Sequence, residues 1–545
     1  MPNTRKLLSI TDLKKYFPVA KSSLFQKESL YVRANEEITL DIYEGETVGI
    51  VGESGCGKST LGRVLLQLYE QTAGSAMYYG RTLSEVAPSY IEHTLKNAKK
   101  YLAKYNTAQA LADKLTKECD ELGDDATFYK LQEKNLAVAN ARSALMNIVK
   151  IMGGFIATDD LEQSAKILLK QYKIDVAISK HNREIAELNA SIDLYKMQKE
   201  DLEKEGKSTA SVIKKIASAE AKVEKLSAEI ETLRAKKPEI TAELDALKAK
   251  HADNEEFKKY EEMLDDGVDL ARLKYNEMRH LRKDLQIIFQ DPYSSLDPRM
   301  TIGQIIEEGL VTHNFYKHGS AKMQEYILQT MRDCGLQDYM LHRYPHQFSG
   351  GQRQRICIAR ALAVKPKFVV CDECVSALDV SIQSQIINLL QELQQREKFT
   401  YMFISHDLSV VRYISDRIAV MYLGNIVELA PSEEIFKDPR HPYTVALLSS
   451  IPTTDPDDLN KERIILEGNI PSPIRPPDGC KFHTRCFMAC DKCKCVQPPL
   501  VEVEPGHFVA CHFAEKKLDE NGEYLFELPK MEKKSSRLEQ LEVQK

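Results

Sequence analysis

Gly52-Glu53-Ser54-Gly55-Cys56-Gly57-Lys58-Ser59-Thr60 is a glycine-rich turn closed by Lys-Ser-Thr, with the spacing of a phosphate loop. Before it, Glu46-Thr47-Val48-Gly49-Ile50-Val51 reads as a buried strand. After it, Leu61 to Tyr69 reads as a helix. A strand, a tight turn and a helix start surround a phosphate with main-chain N–H groups and the positive end of the helix. Lys58 is expected to reach the β- and γ-phosphates, and the Ser59 hydroxyl to bind Mg²⁺. An ordinary glycine-rich turn needs no Lys-Ser-Thr in register. Gly52, Ser54, Gly55, Cys56, Gly57, Lys58, Ser59 and Thr60 therefore predict a nucleoside triphosphate site.

The class of site is decided far downstream. Phe348-Ser349-Gly350-Gly351-Gln352 precedes Arg353-Gln354-Arg355 and an apolar helix, Ile356 to Ala363. Phe368-Val369-Val370-Cys371-Asp372-Glu373 is an apolar strand ending in two carboxylates. Ser376-Ala377-Leu378-Asp379 follows it, and the strand Tyr401-Met402-Phe403-Ile404 then leads into Ser405-His406. In order and spacing these motifs resemble the ABC ATPases over residues ~10–80 and ~280–515. Asp372, at a strand end, can hold Mg²⁺ through water together with Ser59 and Gln290. Glu373 is placed to act as general base toward the attacking water. Gln290 could touch metal and water, and His406 the γ-phosphate. Ser349, Gly350, Gly351 and Gln352 open a helix suited to the γ-phosphate of a nucleotide held by another subunit. The resemblance implies two ATPase domains clamping two ATPs head to tail, with Asp379 in the loop between them. An aromatic near the N-terminus should stack on adenine; Tyr16 is the first choice and Phe17 the second.

Gln290 lies in Ile287-Ile288-Phe289-Gln290-Asp291-Pro292-Tyr293-Ser294-Ser295-Leu296-Asp297-Pro298. That string, His441-Pro442-Tyr443-Thr444 with Leu447-Leu448, and a cysteine-rich tail resemble the oligopeptide/dipeptide importer ATPases, in particular their second, F-type subunit. Cys374 departs from the family, which carries Pro there, and sets a thiol beside the expected active site. The resemblance implies an ATP-hydrolysing subunit paired with a second ATPase and two permeases, at the cytoplasmic face of the membrane. An extracellular solute-binding protein would act indirectly. Composition agrees. The chain has 545 residues, no Trp and a net charge of −6, which argues against broad nucleic-acid affinity. No apolar run approaches a bilayer span of ~20 residues, and the N-terminus lacks a signal segment.

Six of the twelve cysteines lie between Cys480 and Cys511. Thiols in the pattern Cys480-x₅-Cys486-x₆-Cys493-x₁₇-Cys511 point to a metal rather than to disulfides in an intracellular ATPase. Spacing alone admits an iron–sulfur cluster or zinc. The family resemblance implies a four-iron, four-sulfur cluster on these four cysteines, with Cys490 and Cys495 as extras.

Lys58 and Gln290 are 232 positions apart, and the insertion that separates them, between Arg81 and about Leu281, carries no family resemblance. Ile178, Ile185, Leu188, Ile192, Tyr195 and Leu202, then Val212, Ile216, Ala219, Val223, Leu226, Ile230 and Leu233, keep a heptad seam. Glu205-Gly206-Lys207-Ser208 breaks it, with Gly206 at a C-cap and Ser208 or Thr209 at an N-cap. An antiparallel coiled-coil hairpin is expected, kinked at Pro238, with further helices over ~89–121 and ~126–151. It would serve as a docking arm for a partner or as a solvated elaboration. The rival class is a coiled-coil ABC ATPase of DNA maintenance or repair; against it stand the importer-like motifs and the acids interleaved along the heptads.

The expected fold is α/β: an ABC-type P-loop ATPase with a RecA-like core, an antiparallel β-subdomain and a helical signature subdomain. Residues 1–81 and 280–440 form the ATPase, 82–279 the helical insertion, 441–515 a cysteine-rich iron–sulfur domain and 516–545 a charged tail.

Overall fold

A computed structural model describes residues 5–20, 30–123, 127–451 and 464–514. The expected tail 516–545 lies outside the described residues, as do Asp124 and Asp125. The strands are β1 (Lys6–Pro18), β2 (Tyr31–Tyr43), β3 (Thr47–Val51), β4 (Ala73–Tyr78), β5 (Val268–Asp269) and β6 (Leu285–Ile288). They continue with β7 (Phe368–Asp372), β8 (Thr400–Ile404), β9 (Arg417–Tyr422), β10 (Asn425–Pro431), β11 (Val501–Glu504) and β12 (His507–Val509).

A small antiparallel sheet runs β2-β1-β4-β5, and a large one runs β11-β12-β10-β9-β3-β8-β7-β6. In the large sheet β9, β3, β8, β7 and β6 are parallel. Every residue of β3, β7 and β8 is buried. Strands covered on both faces read as continuous apolar runs, which is why these were legible in the sequence. Parallel neighbours end on the same side. The phosphate loop, Asp372-Glu373, Ser405-His406 and the chain leading to Gln290 therefore emerge together, where ligands gather on open α/β sheets.

Two apolar clusters hold this arrangement. One joins β1 and β2 to the large sheet through Leu8, Ile10, Ile38, Ile50, Leu61 and Met402. The other packs the helices Ile302–Thr312, Ala321–Asp333 and Gly350–Leu362 over its far side. The cysteine-rich segment joins the large sheet through β12, where Val509 pairs with Glu428.

The insertion is helical: Ser89–Lys96, Ala98–Leu122, Phe128–Met152, Leu161–Lys204, Ala210–Lys250 and Glu255–Glu261. The expected helix over ~89–121 is split at Asn97, which caps one helix and starts the next. The two longest helices lie antiparallel. Asp160 meets His251 at 2.9 Å, Asp175 meets Lys237 at 2.6 Å and His181 meets Glu229 at 3.5 Å. Nearer the turn, the Lys215 ammonium sits 5.5 Å from the centre of the Tyr195 ring. Numbers on one arm rise as those on the other fall. Gly206, at φ +68°, makes the turn that a Cβ would resist. Thr209 is the N-cap residue, but its side chain makes no capping bond. The returning helix runs unbroken through Pro238.

The foot of the insertion has its own core around Ile148, Phe155, Leu161, Leu244 and Phe257. It docks on the small sheet: Arg142 pairs with Asp12 at 2.5 Å, and Lys150 donates to Ser75 Oγ at 3.1 Å. The sheet takes the chain back before residue 279, because Val268 and Asp269 pair with Tyr78 and Met77.

Candidate nucleotide site

The phosphate loop leaves β3 at Gly52 and enters the helix Lys58–Leu65. Gly57, at φ +101°, precedes that helix, and a Cβ there would come within 2.0 Å of Ala34 O. Only glycine fits such an approach. The Lys58 ammonium donates to Gly52 O at 2.7 Å and Glu53 O at 3.1 Å, spanning the loop that a phosphate would fill. Cys56 is buried, and burial pushes its thiol up.

The strand ends bring the remaining residues together. Ser59 Oγ donates to Asp372 Oδ1, and Asp372 is fully buried. Arg63, one turn along the helix from Ser59, also reaches Asp372, at 3.4 Å. Gln290 Nε2 donates to Glu373 Oε2 at 2.8 Å. His406 Nδ1 stands 3.5 Å from the same oxygen. Glu373 holds φ +47°, an unfavourable conformation for a side-chain-bearing residue, while its N–H donates to Ile404 O at 3.0 Å. Ser59, Asp372, Glu373, Gln290 and His406, scattered over 348 positions of sequence, form two contact sets, Ser59–Asp372 and Gln290–Glu373–His406, on neighbouring carboxylates.

Ser349 caps the helix Gly350–Leu362 reciprocally. Its hydroxyl accepts from Gln352 N–H, and Gln352 Oε1 accepts from Ser349 N–H. Ser349 is exposed, as is Asp379 at the start of the helix Val380–Glu397. The Arg353 guanidinium lies 3.8 Å from the centre of the Tyr293 ring, joining this helix to the segment after Gln290. Cys374 is buried in the core beneath.

Tyr16 lies on β1 with its hydroxyl donated to Glu36 at 2.7 Å. Burial and the Glu36 charge push its phenol up. Burial alone would raise the Glu36 carboxyl, but the Lys481 and Arg33 charges outweigh it and hold it down at about 2. Phe17 packs edge-on against Tyr69 and under Lys15.

The C-terminal segment reaches the phosphate loop. His441 caps the helix Pro442–Ser449 by accepting Tyr443 N–H on Nδ1 at 3.0 Å, which requires a neutral imidazole. Burial lowers its pKa to about 4 against a partial opposing effect of Glu428. Tyr443 then presents its hydroxyl to Glu53 N–H at 2.9 Å. Arg485 grips the Glu53 carboxylate with two bonds, 2.7 and 3.0 Å.

Cys480, Cys486, Cys493 and Cys511 share this lobe, where burial raises each thiol and their charges act on one another. Cys490 Sγ is 3.5 Å from Cys493 Sγ. Among the described residues no group of three or more His, Cys, Asp or Glu side chains is gathered to hold a metal ion.

The ABC transporter family matches residues 35–267 and 255–376. The chain belongs to the ABC transporter ATP-binding proteins. Residues 427–493 match a second family, described as the C-terminal region of oligopeptide/dipeptide transporters. A Brucella ovis protein described as a peptide import ATP-binding protein is 56% identical over 247 residues, 45% of this chain and 77% of its own. The Bacillus subtilis oligopeptide transport ATP-binding protein AppF is 52% identical over 248 residues, 45% of this chain and 75% of its own.

This ABC subunit is thus an ATPase that uses ATP with Mg²⁺. No helix among its described residues is long and apolar enough to cross a membrane. Sequence reasoning missed Arg63, Glu36, Lys481 and Arg485. Arg63 had a signal, since positions four apart share a helix face with Ser59. The other three had none.

Proposed function

We propose that this chain is the ATP-hydrolysing subunit of an oligopeptide importer, bound peripherally at the cytoplasmic face of the membrane. The carrying observation is that the oligopeptide/dipeptide-type C-terminal region is built into the nucleotide site, through Tyr443 on Glu53 N–H and Arg485 on the Glu53 carboxylate. In this reading Lys58 and the loop amides bind the phosphates, and Ser59, Asp372 and Gln290 hold Mg²⁺. Glu373 takes the proton of the attacking water, which Gln290 and His406 help to orient. The Ser59–Asp372 contact and the contacts of Gln290 and His406 with Glu373 support those roles.

Ser349 to Gln352 and Asp379 serve the nucleotide of a second ATPase subunit. The exposure of Ser349 and Asp379 supports that use, since a residue working in trans must face outward. Two permeases receive the motion through the segment after Gln290. Tyr16 faces adenine, oriented by its bond to Glu36. The paired arms Leu161–Lys204 and Ala210–Lys250 form a coiled coil. Cys480, Cys486, Cys493 and Cys511 hold a four-iron, four-sulfur cluster, which their four-thiolate chemistry suits; iron analysis of anaerobically purified protein tests it, and stoichiometric zinc without iron would refute it. No observation favours the DNA-maintenance reading.

The test is uptake of a labelled oligopeptide by cells lacking this gene, complemented with wild type or Glu373→Gln. Uptake should return only with wild type. Undiminished peptide uptake in the deletion strain would reject the importer reading.

A further inference from the structure

We propose that the turn Cys480–Cys486 is a bracket that shapes the nucleotide site from outside the ATPase motifs, with Arg485 and Lys481 as positioning residues for ATP. The inference rests on the reading that residues 52–60 and Tyr16 hold the nucleotide.

Two cations four residues apart reach two different acids. Arg485 meets both carboxylate oxygens of Glu53, the second residue of the phosphate loop, while its own side chain is only 7% exposed. A planar guanidinium paired in this way fixes position as well as charge. Glu53 is also held through its main chain by the Tyr443 hydroxyl. A free carboxylate on a loop that receives a triphosphate would repel it, and Arg485 neutralises that charge.

Lys481 donates to Glu36 Oε2 at 2.8 Å, to Leu423 O at 3.1 Å and to Asn425 Oδ1. The other Glu36 oxygen accepts the Tyr16 hydroxyl. The neighbouring Asn35 donates to Gly57 O at 3.1 Å, at the far end of the phosphate loop. One turn therefore braces the loop at Glu53 and the proposed adenine side at Tyr16.

The turn is itself rigid. Cys480 N–H donates to Cys493 O at 2.8 Å, and the Phe482 ring is buried against Tyr422, Tyr443 and His441. An ion pair serving stability alone would have no reason to end on the phosphate loop. The geometry predicts that loss of Arg485 is felt as lost nucleotide affinity, acting through Glu53.

The experiment measures the Kd of a fluorescent ATP analogue with Mg²⁺ on the full chain, alongside melting without nucleotide. R485A should weaken binding about ten-fold, the worth of a charge-assisted pair. R485K should weaken it about three-fold, since an ammonium cannot make the same fork. In an E53Q background R485A should add less than about two-fold, because the carboxylate it served is gone. K481A should weaken binding without touching the phosphate loop directly.

If R485A binds as wild type does, or weakens binding equally with and without E53Q, the bracket is wrong. If R485A does not fold, wild-type affinity in R485K overturns it instead. K58A separates the two readings: unchanged affinity there would mean the nucleotide site itself is misassigned.

Discussion

Two regions are added to this ATPase, and they are attached in opposite ways. The C-terminal lobe enters the large sheet through β12 and sends Tyr443, Lys481 and Arg485 to the nucleotide site. The helical insertion adds two residues of strand to the small sheet, touches that sheet through Arg142 and Lys150, and is built around its own core. Its arms, 44 and 41 residues long, pair with each other. At ~1.5 Å per residue they extend on the order of 60 Å. The lesson is that nearness to function follows side-chain wiring rather than position in the chain. Residue 485 lies 432 positions from Glu53 and touches it, whereas the insertion begins soon after the phosphate loop and leads away from it.

The sharpest way to break this contrast is Phe482→Ala. The ring is 1% exposed and packs on the aromatic group that carries Tyr443, so removal should cost about 3–5 kcal/mol. Nucleotide affinity should fall with it. Denaturant unfolding and ATP titration check both; intact affinity in a destabilised variant would separate the lobe from the site.

Acid should act on the same lobe. His441 is neutral, 1% exposed and shifted from 6.5 to about 4, facing Glu428 while His507 pairs with that carboxylate on the other side. A depressed native pKa means the unfolded chain binds the proton first. Stability is therefore full above pH 6.5 and lost as pH falls toward 4, by about 3 kcal/mol. Unfolding free energies at pH 7 and 4.5 test this, and an equal loss in His441→Asn would refute it.

The smallest effect belongs to the insertion. Replacing Ile178–Leu233 by a short Gly-Ser linker cuts both arms at facing positions and spares the core at their foot. ATP affinity should stay within about two-fold of wild type, since no nucleotide-site residue lies in that segment. Lost ATP binding would show the arms to be part of the ATPase core.

What could be read from the sequence follows the same division. β3, β7 and β8 were legible because burial on both faces makes an unbroken apolar run. The residues at their ends were legible as Gly-Lys-Ser, Asp-Glu and Ser-His patterns directly after apolar runs, and the parallel sheet brings those ends together. The hairpin was legible from its heptads and from Gly206. β5 was not, since two residues carry no period, and Asn97 divides a helix that propensity alone would continue. Lys481 and Arg485 read as charges in a cysteine-rich loop, and the carboxylates they meet lie more than 400 positions away. Only the folded sheet, which seats that loop beside β10 and the phosphate loop, reveals them.

In the function proposed above, the ATP chemistry falls to Asp372, the last residue of β7, and to Glu373 after it. Its most direct test is steady-state ATP hydrolysis by Glu373→Gln in the assembled transporter, with ATP binding measured in parallel. Binding should be retained and turnover should fall by at least about 10², because only the activation of water is removed. Hydrolysis near the wild-type rate would contradict it.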